Sequence, residues 1–172
     1  LVELELLSAE TDWLAAYGTG PTADIYETIS DWQQDHQSVV DALFQWRPDS
    51  RPAITSIFGL IRRTFSQFDS VPGSANDRRS IVLFSDGSDI VSNVEADEIV
   101  RRAEALDVQI HSVLLGEPSR NSRRNLARLA ALTNGVFVEL NEIEDLGLIW
   151  KRMDAERLPV SYTHLTLPTT RC

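Results

Sequence analysis

The run Ile81-Val82-Leu83-Phe84, followed directly by Ser85-Asp86-Gly87-Ser88-Asp89, constrains the fold more than any other stretch of this chain. Four apolar residues in succession, bounded by turn formers, suit a strand covered on both faces. A carboxylate then emerges at Asp86, at the strand's C-terminal end, which in open α/β sheets is the edge where ligands bind. Gly87 suits a turn with positive φ or a close approach to a ligand. One stretch therefore points to a fold class and to a candidate site.

The residues around it repeat the theme. Ile54, Ile57, Phe58, Ile61, Phe65 and Phe68 recur at helical spacing. A loop rich in turn formers covers 70–77. Ser92 to Glu95 has capping-box spacing, and Ala96, Ile99, Val100, Ala103 and Leu106 continue as a helical face. Gln109 to Leu115 is a second apolar strand closed by Gly116. A helix follows with Leu126, Leu129 and Ala130 inward and Arg123, Arg124 and Arg128 outward, stopped at Asn134-Gly135. Val136 to Leu140 is a third strand, and Ile143, Leu146, Ile149, Trp150 and Met153 mark a last helix. Alternating strands and helices imply right-handed crossovers and a mostly parallel sheet with helices on both faces. The segments 81–84, 109–115 and 136–140 are expected to be neighbouring parallel strands.

The first third is less regular. Val2 to Leu7 alternates, as a strand with one polar face does. Trp13 to Tyr17 is a candidate hairpin partner for it. Short amphipathic helices are expected around Ile25–Trp32 and Val39–Trp46. His36 is expected at the surface, and His111, in mid-strand, as a satisfied core residue.

With 26 acidic against 16 basic residues the net charge is −10, which argues against nucleic acid and anionic membrane as partners. No apolar run approaches the ~20 residues that span a bilayer. The only cysteine is Cys172. It falls in a stretch that is not read as native: Val160 to Thr169 (VSYTHLTLPT) reads as a translated transposon-type sequencing adapter. Residues 1–158 are therefore taken as one domain and 159–172 as a non-native tail.

At this point the chain resembles a von Willebrand factor type A (vWA) domain, across essentially Val2 to Arg157. Ile81 to Gly87 looks like the family's fourth strand with its Asp-Gly, and Ile110 to Gly116 like the fifth strand and its glycine. Leu129-Ala130, Thr133-Asn134-Gly135 and Val136-Phe137-Val138 resemble the family's L-A…T-G-G…F segment, with Asn134 in place of the first glycine. The resemblance implies a Rossmann-like sheet and a binding module rather than an enzyme. Such a module mediates protein–protein interaction or assembly through a metal-ion-dependent adhesion site, with Mg²⁺ (or Mn²⁺ or Ca²⁺) and a partner's acidic group. Asp86 matches the family's ligand after the fourth strand, and Thr55 matches its loop threonine. The family's Asp-x-Ser-x-Ser motif has no match in the 172 residues. The expectation is that the first strand, normally central, is missing together with that motif. Asp86 and Thr55 alone would then hold metal weakly or not at all, and residues 1–158 on their own would fold poorly. The resemblance favours an extracellular or cell-surface location and leaves the cytoplasm open.

Plainer readings stand beside these: Asp86 as a turn cap, Thr55 as a helix N-cap, the arginines as a solvated helix face. The rival function is a dinucleotide-binding oxidoreductase. Gly18-Thr19-Gly20-Pro21-Thr22-Ala23 formally matches G-x-G-x-x-G/A, with Asp41 at a distance suited to a ribose. It requires a buried strand before Gly18 and a helix after Ala23. A dehalogenase-type phosphatase loop would need a nucleophilic Asp where Phe84 stands, and no G-x-S-x-G elbow occurs.

Overall fold

The computed structural model describes residues 12–19, 26–47, 56–71, 78–86, 96–116 and 119–140. The parallel layer is built from β3 (Arg79–Ser85), β4 (Val108–Leu115) and β5 (Phe137–Leu140), in that spatial order. Ile81 pairs with Ile110 and Ser85 with Leu114, and Val113 pairs with Val138, all in parallel. The three expected strands are thus parallel neighbours, but β3 is not covered on both faces: Ile81 and Leu83 are buried, whereas Phe84 is 48% exposed.

Three helices cover one face of this sheet: α2 (Ile57–Phe65), α3 (Ala96–Leu106) and α4 (Arg120–Leu132). Ile57, Ile61 and Phe65 of α2, Ile99 and Ala103 of α3, and Leu126 and Leu129 of α4 share one core with Ile81, Leu83, Ile110 and Leu114. Both crossovers step the same way across the sheet, so right-handedness puts α3 and α4 on the same side. On the opposite face Val113, Val136 and Val138 are also buried. The helix expected over 143–153 to cover that face lies outside the described residues, as does Val2–Leu7.

The turns show why particular residues are needed. α3 runs into β4 through Asp107 alone, at φ 52°. α4 ends at Thr133, followed by Asn134 at φ 54°, and the Gly135 N–H donates to the Ala130 carbonyl at 2.8 Å. This six-to-one bond with a left-handed residue before it is a Schellman closure, where Gly or Asn is favoured. Asn134 supplies the left-handed residue that this closure needs. Gly135 is needed for a different reason: a Cβ there would overlap the backbone carbonyl of Ile110. Thr133, buried, donates from its hydroxyl to the Leu129 carbonyl (2.9 Å) and accepts from the Ile110 N–H (3.2 Å), tying the helix end to β4. His111 is indeed a core residue, and its Nδ1 accepts from the Val136 N–H at 3.0 Å.

The N-terminal third departs from expectation. β1 (Leu14–Thr19) pairs antiparallel with β2 (Tyr26–Gln33), so the segment read as a helix around Ile25–Trp32 is a strand, and the partner of residues 13–17 is β2. Ile25, Ile29 and Trp32 mimic helical spacing, but Tyr, Ile and Thr are strand formers and a second strand satisfies their backbone. α1 (His36–Gln45) matches the second expected helix and is capped by Asp35, which accepts from the Gln37 N–H. His36 is buried rather than exposed, because its Nε2 bonds the Asp12 carbonyl at 3.1 Å.

Candidate functional site

Asp86 is the first residue past β3, at the C-terminal edge of the parallel sheet, and its side chain is exposed. Because Ser85 is in register with Leu114, β3 and β4 end together. β4 leaves the sheet through Gly116, at φ 72°, and the chain enters α4 at Ser119, whose hydroxyl accepts from the Ser122 N–H at 3.1 Å. The α4 N-terminus and Asp86 therefore share the edge at which ligands bind in this class of fold.

Thr55 lies outside the described residues, so its separation from Asp86 is not defined. The residue after it, Ser56, is the N-cap of α2 and is buried, which takes the capping position that Thr55 had as its plainer reading. The Ser56 side chain makes no capping hydrogen bond. Its hydroxyl and that of Tyr26, from β2, both crowd the space above Gly59, where a Cβ would overlap them. The hairpin therefore reaches over the start of α2, a contact that no sequence pattern announces because it joins residues 30 or more apart.

Tests of a metal centre rest on donor types. Mg²⁺ prefers six hard oxygens and keeps several waters, so a carboxylate and hydroxyls are suitable donors. Asp86, with Thr55 preceding Ser56 in sequence, is of that type. Among the described residues no three His, Cys, Asp or Glu side chains gather around a common point. The donors fit in kind and fall short in number, in keeping with the absence of an Asp-x-Ser-x-Ser motif from the sequence.

The dinucleotide reading meets a different backbone. Gly18 is inside β1, opposite Glu27 of an antiparallel partner, and the next element is a strand, not a helix. Its missing side chain makes room for the Trp46 indole, whose ring would meet a Cβ at 2.7 Å and whose Nε1 donates to Glu27 Oε2 at 2.8 Å. Packing accounts for this glycine. Gly20 and Ala23 lie outside the described residues, and so do Ser88 and Asp89. Asp41 is exposed on α1 and accepts from the Gln37 side chain at 2.8 Å.

No protein-family profile matches the chain, and no curated protein is similar to it in sequence. Solved structures are. A von Willebrand factor type A structure from Catenulispora acidiphila superposes with a TM-score of 0.64 at 14% identity, over 88% of this chain and 34% of the other. Proximal thread matrix protein 1 from the mussel byssus gives 0.61 at 13% identity, over 81% and 34%. A second structure of that protein, with a zinc-occupied MIDAS motif, gives 0.59 at 16% identity, again over 81% and 34%. The chain thus spans about a third of the length of these proteins. At such identities the likeness is one of fold: this is a vWA-like α/β domain.

Proposed function

We propose that the chain is a vWA-type binding module, not an enzyme, and that it engages an acidic group of a protein partner through a divalent cation at the C-terminal edge of β3. Asp86 and Thr55 would supply two of the oxygen ligands. One observation carries the reading: Asp86 follows a strand of the parallel sheet directly, at the edge where this class of fold binds ligands. The fold likeness to vWA structures supports it, and the byssus protein's zinc-occupied MIDAS motif shows that a neighbour of this fold holds a divalent ion. When bound, the cation supplies an open coordination position for a partner's carboxylate. The chain's own residues orient and hold it. A surface of net charge −10 suits cation capture.

The test is thermal unfolding of the full-length protein with and without Mg²⁺. A ligand that binds only the folded state stabilises by about 1.4 kcal/mol at tenfold its dissociation constant. Mg²⁺ should therefore raise the melting temperature of the wild type and leave that of Asp86→Ala unmoved. A rise of equal size in both would remove Asp86 from the site. A rise produced by NAD instead would revive the oxidoreductase reading at Gly18, Gly20 and Ala23.

A further inference from the structure

The helical layer carries a charge opposite to that of the chain. α2, α3 and α4 hold eight arginines, four of them on α4, against three carboxylates, Asp97, Glu98 and Glu104, all on α3. These helices are net positive within a chain of net charge −10, and all eight arginines are exposed. Arg62 and Arg63 lie in the last turn of α2, where cations suit the helix dipole, but the first arginines of α4 do not serve their helix. Arg120, Arg123 and Arg124 sit at the start of α4, which has no acidic residue in its first turn. Cations are unfavourable there, at the positive end of the helix dipole. Among the described residues two internal pairs neutralise part of the charge, Arg123 with Glu139 at 2.6 Å and Arg128 with Asp97 at 3.3 Å. Both are solvent-exposed, and exposed pairs contribute little.

A second feature adjoins this charge. Between α2, α3 and α4 opens a cleft of about 110 Å³, with Phe58, Val100, Leu129 and Leu132 among its walls and Asn125 and the Arg128–Asp97 pair beside them. Leu132 is 44% exposed at the rim of this cleft. The cleft is smaller than the ~150 Å³ cavity that admits benzene, so it suits one aliphatic side chain. Arg120, Arg124, Arg128 and Leu132 follow one another at four-residue steps, so they form one ridge of α4 leading to the cleft.

We propose that this face docks an acidic segment of a partner protein, with its carboxylates on Arg120, Arg124 and Arg128 and one aliphatic side chain in the cleft. Charge complementarity selects this occupant. Nucleic acid offers no aliphatic side chain for the cleft, and both it and a second copy of the chain are outcomes that the experiment separates. Arginine is also the basic side chain best suited to forked contacts with carboxylates. The surface needs no cation, and although Arg120 begins at the edge that Asp86 shares, EDTA separates this proposal from the one at Asp86.

The experiment is fluorescence anisotropy of a short labelled Glu-rich peptide with one central leucine, titrated with the full-length protein in EDTA. Binding should weaken steeply with salt and fall at least about tenfold in the Arg120→Glu/Arg124→Glu variant, with circular dichroism unchanged. Replacing the peptide's leucine by serine should cost about tenfold against wild type and nothing further against Leu132→Asp. Absence of binding, or binding indifferent to the charge reversal, would overturn the proposal. So would displacement of the peptide by single-stranded RNA, self-association through the same arginines, or a requirement for Mg²⁺, which would assign the peptide to the Asp86 site instead.

Discussion

In β4, six residues from Val108 to Leu114 are buried, and their side chains interlock with three helices on one face and with Val136 and Val138 on the other. In the β1–β2 hairpin the only described buried residue is Gly18. The hairpin is fastened at points instead. Tyr26 lies on Gly59, Trp32 stacks near Phe68 with ring centroids 5.8 Å apart and donates to the Gln67 carbonyl at 3.3 Å, and Trp46 fills the space over Gly18. Continuous burial makes a cooperative core, while a few aromatic anchors on a half-exposed ribbon make a unit that can open by itself. The difference teaches where stability and legibility coincide: both follow from strands that are mostly apolar and buried along their length.

The largest expected effect probes the sheet. Ile110 is fully buried at the centre of β4, so Ile110→Ala should cost about 3 kcal/mol, from lost burial and the cavity left behind. Hydrogen exchange should accelerate in the sheet and the hairpin alike, because the core fails globally. Acceleration confined to β4 would mean that the sheet is not the shared core.

Trp32→Ala is the complementary change, and it should cost about 1–2 kcal/mol through the lost ring contact and hydrogen bond. Exchange should quicken in β1 and β2 while the β4 amides keep their protection. Equal loss in β4 would break the distinction between the two regions.

These two regions also explain what could be read in advance. Ile81 to Phe84 is apolar throughout, and Gln109 to Leu115 and Val136 to Leu140 are mostly so, interrupted by His111, Ser112 and Glu139; such short runs between helices suit parallel strands. Asp86 was legible because it abuts one of them. The Thr133-Asn134-Gly135 segment was recognisable as a family-like signature, but its reasons emerge only from tertiary contacts: a left-handed Asn134 and a Gly135 pressed on Ile110. β2 was misread because Ile25, Ile29 and Trp32 fall at helical intervals, whereas its burial comes from α1, α2 and the residues just after α2. His36 was misread for a similar reason. A polar stretch is expected to face water, and the Asp12 carbonyl that draws the imidazole inward is 24 residues away.

The smallest expected effect is a pH dependence of the hairpin. Burial holds the Tyr17 phenol above its usual value of 10.0, the Asp31 charge adds to the rise, and Arg63 opposes it. Its hydroxyl has no hydrogen-bond partner among the described residues. A raised value in the folded state means that the neutral phenol favours folding. Its contribution is complete below the unfolded value near 10 and is lost as pH rises through the folded one. Hairpin amides should therefore lose protection in that alkaline window in the wild type and do so less in Tyr17→Phe, with β4 indifferent. Identical alkaline behaviour of the two proteins would show that Tyr17 is not what couples the hairpin to pH.

The cation reading at Asp86 has its most direct test in electron paramagnetic resonance of Mn²⁺ titrated into the full-length protein and into Asp86→Ala. The expected result is weak binding of one Mn²⁺ per wild-type chain, in keeping with the small number of donors, displaced by Mg²⁺ and weakened at least about tenfold further in the variant by loss of the anionic ligand. Equal affinity and stoichiometry in the two proteins, or no bound Mn²⁺ in a wild type shown to be folded, would contradict a cation site at the end of β3.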